Sequence, residues 1–193
     1  YKGYTPFLDS LIGESYTFTR SYSNGRKSID ALPSVITGIP SVGEPFVLSI
    51  YSGNKTTSLA KLLGDEGYET AFFHGAPNGS MGFSAYTQLA GISHYFGKNE
   101  YNNDADFDGI WGIWDEPFMQ FMADKIDDLP QPFFAGFFSV GMIKYPHTCD
   151  KERLLWKQPN WLGCSPLPYS AILKRFVPFP TVPGIPNRYP IIW

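Results

Sequence analysis

The sequence has no apolar run that approaches the ~20 residues needed to cross a bilayer. It also has no basic N-terminal stretch followed by an apolar segment, so no signal peptide is predicted. Basic residues are few, with 15 Lys and Arg against 18 Asp and Glu in 193 residues. Because binding to a phosphate backbone requires clustered cations, this balance argues against nucleic acid as the main partner.

Cysteine is also scarce. Cys149 and Cys164 are separated by fourteen residues, a spacing that matches no metal motif, and a disulfide between them stays open. Hydrophobic residues, in contrast, make up 43% of the chain and aromatic residues 17%. This composition excludes wholesale disorder, and the length is that of one globular domain or of part of a larger one.

Charge and proline divide the chain into two parts. Residues 1–143 carry 8 basic and 16 acidic side chains, whereas residues 144–193 carry 7 basic and 2 acidic ones. The last 50 residues also hold 9 of the 17 prolines, and a proline series of this kind disfavours both helix and interior strand. The sequence therefore predicts a folded domain over residues 1–140 and an irregular, proline-rich tail over residues 141–193.

Hydrophobic periodicity and turn signals predict an alternation of helices and strands within the first part. Helices are expected at 5–13, 28–37, 57–66, 84–90 and 115–128, and strands at 16–22, 68–73 and 132–140. In the 57–66 helix, the expected buried residues are Leu59, Ala60, Leu62 and Leu63. Alternation at this spacing is typical of an α/β fold in which helices sandwich a mostly parallel sheet.

In parallel sheets ligands bind beyond the carboxyl ends of the strands, and the segment 23–30 meets that condition. Ser28 stands at the start of a predicted helix, where free N–H groups and the helix dipole favour an anion. Arg26 and Lys27 precede it directly. Ser28 is therefore a candidate nucleophile for phosphorus or sulfur if a metal or a base lowers its proton affinity. The alternative is that Ser28 only caps the helix and that the two cations are solvated.

A second candidate is His74, which with Gly75 follows a predicted strand. A histidine at that position could donate to a bound anion or act as an acid or base. The alternative is a structural histidine with satisfied hydrogen bonds.

A third segment, 104–109, matches the opening D-x-D-x-D-G of a calcium loop. The twelfth position would be Asp115 instead of glutamate, and the preceding segment 99–103 is not predicted to be helical. The favoured interpretation is an acidic loop that leads into the 115–128 helix, with Asp115 and Glu116 in its first turn.

Several blocks of sequence, in order, resemble the lipoteichoic acid synthase-like phosphoglycerol transferases of the sulfatase and alkaline phosphatase superfamily. The resemblance covers about residues 3–140. Its blocks are Thr5–Asp9, Tyr22–Ser34 (Y-S-N-G-R-K-S-I-D-A-L-P-S), Gly38–Ser41, Phe72–Gly75, Met81–Phe83, Asp106–Glu116 and Gln131–Phe134.

The resemblance implies an incomplete alkaline phosphatase-like α/β sheet and an enzyme that works through Ser28, which takes the place of the family's metal-bound Thr or Ser. It implies that His74 contacts the phosphate or glycerol of the substrate, beside the cations Arg26 and Lys27. The implied cofactor is a divalent cation, typically manganese. The implied partner is a lipid-linked phosphoglycerol or another phosphate or sulfate ester. The parent protein would be tethered to the membrane with its catalytic domain outside the cytoplasm.

The chain also departs from the family pattern. The first metal ligand of the family lies upstream of Tyr1, no Asp-His pair is present, and no Asp follows Asp150. After Val140, a serine- and histidine-containing turn is replaced by the segment 141–144. We therefore expect that a reading-frame change or a misassembled gene model produced the tail, the alternative being a divergent tail. Of the expected ligands only Ser28 is present, so the chain is expected to be inactive by itself. The competing function is a non-catalytic domain that binds anionic head groups.

Overall fold

The computed structural model describes residues 12–13 and 18–140, and the compact unit within them is Tyr22–Val140. The predicted 5–13 helix lies outside the described residues except at positions 12 and 13, which are helical. The predicted tail, residues 141–193, also lies outside them. The division at residue 140 stays a prediction.

The described chain alternates helices and strands, as predicted. The α-helices are α1 (Ala31–Thr37), α2 (Leu59–Asp65), α3 (Phe83–Leu89), α4 (Lys98–Tyr101) and α5 (Asp115–Asp127). The strands are β1 (Glu69–His74), β2 (His94–Phe96) and β3 (Phe133–Phe138), and short 3₁₀ turns span Ser28–Asp30, Phe46–Leu48, Ser80–Gly82 and Asp104–Asp106. Within the described residues, no helix is both long and apolar enough to span a membrane.

The three strands form one parallel sheet in the order β2-β1-β3. The central strand β1 is the most deeply buried, because it has a neighbouring strand on each side and apolar side chains on both faces. Side chains alternate between the faces, so Phe72 and His74 share one face and Phe73 lies on the other. In the register, His74 is opposite Phe138 of β3. The predicted α/β fold with a parallel sheet is confirmed.

The main hydrophobic cluster lies on the Phe72 side of the sheet. Phe138 of β3 packs against it. Its buried side chains come from α1, α2, β1, α3 and the segment after α3: Leu32, Ile36, Ala60, Phe72, Phe83, Tyr86, Ala90 and Ile92. Helix α1 reaches this cluster through Leu32 and Ile36, which are four residues apart and therefore on one face of the helix. The cluster fixes α1, and with it the turn that precedes α1, against the central strand.

Two expectations about local structure are wrong. Residues 18–22 of the predicted 16–22 strand are irregular, with Phe18 and Tyr22 exposed, because alternation of aromatic and polar residues does not by itself make a strand. In α2, only Ala60 of the four residues expected to be buried is fully buried, while Leu59 and Leu62 are 44% and 53% exposed. The face of α2 that packs on β1 and α1 is therefore narrower than the face predicted from the positions of its leucines.

The sequence reasoning also missed β2 and the single-turn helix α4, part of a segment expected not to be helical. This helix begins because the Glu100 carboxylate accepts a hydrogen bond from the Gly97 N–H at 2.7 Å. A Cβ at Gly97 would lie 2.3 Å from Asn78 Oδ1, so a larger residue there would displace the Asn78 side chain. The capping contact between Glu100 and Gly97 therefore starts the helix although the helix propensity of this segment is weak.

Candidate functional site

The two segments that contain the candidate site residues, the Ser28 turn and the end of β1, border the same hydrophobic cluster. Strand β1 ends at His74, whose ring contacts Phe83 of the cluster. Ile29, the residue after Ser28, packs against the same cluster. The cluster therefore brings the Ser28 turn and the carboxyl end of the central strand to one side of the sheet.

The Ser28 turn exposes the residues expected to act on an anion. Ser28, Arg26 and Lys27 are all exposed. The N-cap position of the turn is occupied by Lys27, whose backbone N–H donates to Asp30 Oδ2 at 3.3 Å, while the Asp30 N–H donates to the Lys27 carbonyl at 3.0 Å. The predicted capping role of Ser28 is therefore wrong, because Lys27 holds the N-cap position and its N–H is bound by the Asp30 carboxylate. The Ser28 hydroxyl is left at the surface between two cations and a helix.

A polar network holds the backbone of this turn. Ser34 Oγ donates to the Asp30 carbonyl at 2.7 Å and accepts from Asn24 Nδ2 at 3.0 Å. Gly25 lies so close that a Cβ there would be 2.4 Å from Asp30 Cβ, which explains why this position is glycine. The loop before Ser28 is therefore tied to α1 at both its backbone and its side chains.

Asp30 is the buried acid of this region, at 7% exposure, and its Oδ1 has no hydrogen-bond partner among the described residues. An orphaned carboxylate oxygen is a candidate metal ligand. Residues 12–13 and 18–140 contain no group of three or more His, Cys, Asp or Glu side chains that could hold a metal ion. Ser28 and Asp30 alone do not make a cage for a divalent cation, because two oxygen ligands compete poorly with water. The described residues therefore do not fit the implied cation.

His74 lies in the core instead of at the surface. Its side chain is 1% exposed, its ring centroid is 5.2 Å from those of both Phe83 and Phe138, and Nδ1 is 3.1 Å from the Tyr95 hydroxyl. Burial lowers the pKa of His74 to about 4. Burial likewise raises the pKa of Tyr95 well above its ordinary value. Both groups are neutral at pH 7, so His74 brings no positive charge to the site.

Asp115 has a role that sequence reasoning missed. The residue is 5% exposed at the start of α5, where its Oδ2 accepts from Ser139 Oγ at 2.7 Å and its Oδ1 accepts from the Val140 N–H at 3.0 Å. The carboxylate thus holds the chain as it leaves β3, at the ligand-binding edge of a parallel sheet. The position of Asp115 in the first turn of a predicted helix indicated stabilisation of the helix dipole. Its hydrogen bonds to Ser139 and Val140 are seen only in the tertiary structure.

The acidic segment 104–109 uses its carboxylates separately. Asp104 pairs with Lys98, and Asp106 accepts hydrogen bonds from Tyr101 and Asn103. Asp108 Oδ1 accepts three backbone N–H groups of its own loop, those of Ile110, Trp111 and Gly112. These contacts favour the acidic-loop interpretation over a calcium loop, because each carboxylate supports local backbone or a neighbouring side chain.

Known proteins resemble this chain in sequence and in fold. The family model described as Sulfatase matches residues 1–152. The chain belongs to the sulfatase family. The sulfatase-family chain is 26% identical to the lipoteichoic acid synthase-like protein YvgJ of Bacillus subtilis over 157 residues, which are 80% of this chain and 25% of that protein. It is 24% identical to lipoteichoic acid synthase 2 of the same organism, covering 72% of this chain and 22% of that protein. The chain thus spans about a quarter of the length of these relatives.

Solved structures share the fold of this sulfatase-family chain. A protein of the alkaline phosphatase superfamily from Vibrio parahaemolyticus matches with a TM-score of 0.73 at 22% identity, covering 89% of this chain and 44% of that one. The lipoteichoic acid synthase LtaP from Listeria monocytogenes matches with a TM-score of 0.67 at 22% identity, covering 90% and 44%. The family resemblance and the fold class expected from the sequence are confirmed.

Proposed function

We propose that the protein to which this chain belongs transfers phosphoglycerol from a lipid-linked substrate, or hydrolyses a related phosphate or sulfate ester, with Ser28 as the nucleophile. The observation that supports this is the exposed Ser28, which directly follows two exposed cations at the start of a fixed turn in a sulfatase-family chain. Tethering to the membrane, with this domain outside the cytoplasm, belongs to the same proposal.

The chemistry is a displacement at phosphorus. Ser28 Oγ forms a bond to phosphorus, the bond from phosphorus to the lipid oxygen breaks, and the proton that serine loses is balanced by one that the departing diacylglycerol oxygen gains. An acceptor hydroxyl, or water, then attacks the phosphoserine ester and restores the serine. The family resemblance implies a divalent cation, typically manganese, which would lower the pKa of the hydroxyl when bound, but the described residues hold no cluster of ligands for it.

Arg26 and Lys27 attract the anionic head group to the nucleophile. Both are exposed, so their charges are screened and their effect on affinity is modest for each contact. They raise the local concentration of an anion before any bond is made. Attraction alone does not lower the barrier, because it stabilises the bound substrate and the transition state alike.

His74 is proposed to contact the head group as a neutral group. With a pKa of about 4, the ring offers one N–H and one lone pair at pH 7 instead of a positive charge. Tyr95 occupies its Nδ1, which leaves Nε2 for a ligand. At 1% exposure the ring meets a head group only when the covering aromatic side chains move.

A second function is supported by the two exposed cations Arg26 and Lys27, which attract an anion whether or not Ser28 reacts. In this function the domain binds an anionic head group through Arg26, Lys27 and His74 without chemistry. The two functions differ in whether a covalent phosphoserine forms.

The test uses the complete gene product with a phosphatidylglycerol that carries a fluorescent acyl chain. With manganese present, we expect release of the labelled diacylglycerol and a glycerophosphate ester on the peptide that contains Ser28, detected by mass spectrometry. Ser28→Ala should reduce turnover by at least about a thousandfold and abolish the ester, as removal of a nucleophile does. Ser23→Ala is the matched control, since this serine is also exposed in the same loop and should retain full turnover.

Turnover at the original rate in Ser28→Ala would contradict the proposal. Binding of glycerol phosphate without turnover and without an ester would instead establish the binding function. The 193-residue chain alone is expected to show no manganese-dependent hydrolysis of aryl phosphate, aryl sulfate or phosphoglycerol. Turnover that rises with manganese and disappears in Ser28→Ala would overturn that expectation.

A further inference from the structure

An exposed group of apolar side chains lies beside the Ser28 turn. We call it the apolar tip and define it as Val42, Leu48, Ile50 and Tyr51. Their exposed fractions are 85%, 62%, 89% and 59%. Single exposed apolar residues are ordinary, but a group of them close together in the chain marks a surface that binds something apolar.

The backbone under the apolar tip is ordered by its own hydrogen bonds. Phe46 and Val47 pack against the core cluster and anchor the turn, while Leu48 in the same turn is exposed. Successive turns follow, with Ser49 N–H donating to the Phe46 carbonyl at 3.1 Å and Ser52 N–H donating to the Ser49 carbonyl at 3.1 Å. The anchored turn Phe46–Leu48 also packs against Ser28–Asp30. The tip is therefore held next to the proposed nucleophile with its apolar side chains outward.

Charge is distributed unevenly around this tip. Residues 22–55 contain three basic side chains, Arg26, Lys27 and Lys55, and two acidic ones, Asp30 and Glu44. All three basic residues and Glu44 are exposed, whereas Asp30 is buried, so the exposed charges of this segment sum to +2. Residues 56–140 contain three basic and twelve acidic side chains. An anionic surface would therefore repel the body of the unit and attract the end that carries the tip.

We propose that the apolar tip docks this face onto the surface of an anionic lipid bilayer, with Arg26, Lys27 and Lys55 on the lipid phosphates, so that Ser28 meets head groups in the membrane plane. The combination of protruding apolar side chains and adjacent cations fits that partner, because interfacial binding sums buried apolar area and attraction to anionic lipid. A tyrosine such as Tyr51 suits the head-group level of a membrane. The inference rests on the proposed function for its choice of a lipid-linked substrate.

The test measures vesicle binding of the 193-residue chain that carries Ser28→Ala, so that chemistry contributes nothing. Cosedimentation with phosphatidylglycerol vesicles is expected, with little binding to phosphatidylcholine vesicles and a decrease in binding as salt is raised. Ile50→Ser should weaken binding about tenfold, through loss of buried apolar area. Lys27→Gln should weaken it about fivefold, through loss of one charge at the surface.

Leu62→Ser is the matched control. Leu62 is a 53% exposed leucine on α2, a helix whose end leads to the start of β1, at the opposite edge of the sheet from His74. This variant should bind vesicles as the unsubstituted chain does. Circular dichroism should show the same helix content in all variants. In Ile50→Trp, brominated phosphatidylglycerol should quench more of the tryptophan emission than in the unsubstituted chain, which reports insertion of the tip directly.

Three results would overturn the proposal: Ile50→Ser binds as tightly as the unsubstituted chain, Leu62→Ser weakens binding equally, or phosphatidylcholine binds as well as phosphatidylglycerol. A dimer that Ile50→Ser dissociates in analytical ultracentrifugation, without vesicle binding, would assign the tip to a second copy of the chain and would also overturn it. Because Ser28→Ala is present throughout, these outcomes do not depend on whether Ser28 performs chemistry, so the docking and the proposed function can fail separately.

Discussion

The Ser28 turn and the end of β1 carry the two halves of the predicted site, and they are built in opposite ways. The Ser28 turn is exposed, cationic and held by polar contacts through Asp30, Ser34 and Asn24. His74 is buried, neutral and surrounded by aromatic rings. Substitutions at the end of β1 should therefore act on stability, while substitutions at the Ser28 surface should act on function alone.

The largest expected effect comes from removing the ring beside His74. Phe83 is fully buried and contacts the rings of Phe72, His74 and Phe138. Phe83→Ala should lower the free energy of unfolding by about 3–5 kcal/mol, because a large cavity is left in the cluster. Urea unfolding followed by circular dichroism measures this loss of stability.

The control Val42→Ala, at an 85% exposed position, should change stability by less than about 0.5 kcal/mol. A loss under 1 kcal/mol for Phe83→Ala would contradict the packed core described here.

The second effect is a pH dependence that His74 imposes. The folded-state pKa is about 4 and the ordinary value is 6.5, so the unfolded chain binds the proton more readily. The contribution of neutral His74 is therefore fully present above pH 6.5, decreases as the pH falls from 6.5 toward 4, and is lost below that. The loss amounts to about 3 kcal/mol for a shift of this size.

The measurement for this effect is urea unfolding at several pH values in the original chain and in His74→Gln. Carboxylates also titrate at low pH, and they do so in both proteins. The difference between the two curves should therefore isolate His74 and should be steepest between pH 6.5 and 4. Parallel curves would show that His74 is as accessible to protons in the folded chain as in the unfolded one.

A smaller effect is expected within the Ser28 turn. Gly25→Ala places a Cβ 2.4 Å from Asp30 Cβ, so the loop must move, at a cost of about 1–3 kcal/mol. Gly53→Ala is the matched control, because nothing lies within 4 Å of its added Cβ. Thermal unfolding of both variants checks the prediction. Equal stability of the two would mean that the loop does not pack on Asp30.

The smallest effect is expected at the nucleophile itself. Ser28 is exposed, and the N-cap contacts of its turn are made by Lys27 and Asp30. Ser28→Ala should therefore change the free energy of unfolding by less than about 0.5 kcal/mol. A loss of 1 kcal/mol or more, the usual cost of removing an N-cap, would restore the capping role that the sequence suggested.

The elements that were predicted well are those with strong local signals. The α5 helix has a long apolar period and acidic residues in its first turn, and β3 is an uninterrupted apolar run. The elements that were missed or wrong depend on distant partners. Strand β2 exists because His94–Phe96 pair with β1, and residues 18–22 are irregular in spite of their alternation.

The sequence by itself determined the α/β class, the family resemblance and the identity of Ser28, Arg26, Lys27 and His74 as candidates, since these follow from periodicity and from residue order. Only the tertiary structure decided that Lys27 and not Ser28 holds the N-cap position, that Asp115 holds the end of β3, and that His74 is neutral. The physical reason is that burial and pairing are properties of residues far apart in the chain. A side chain's charge state and partners depend on the neighbours that folding brings to it.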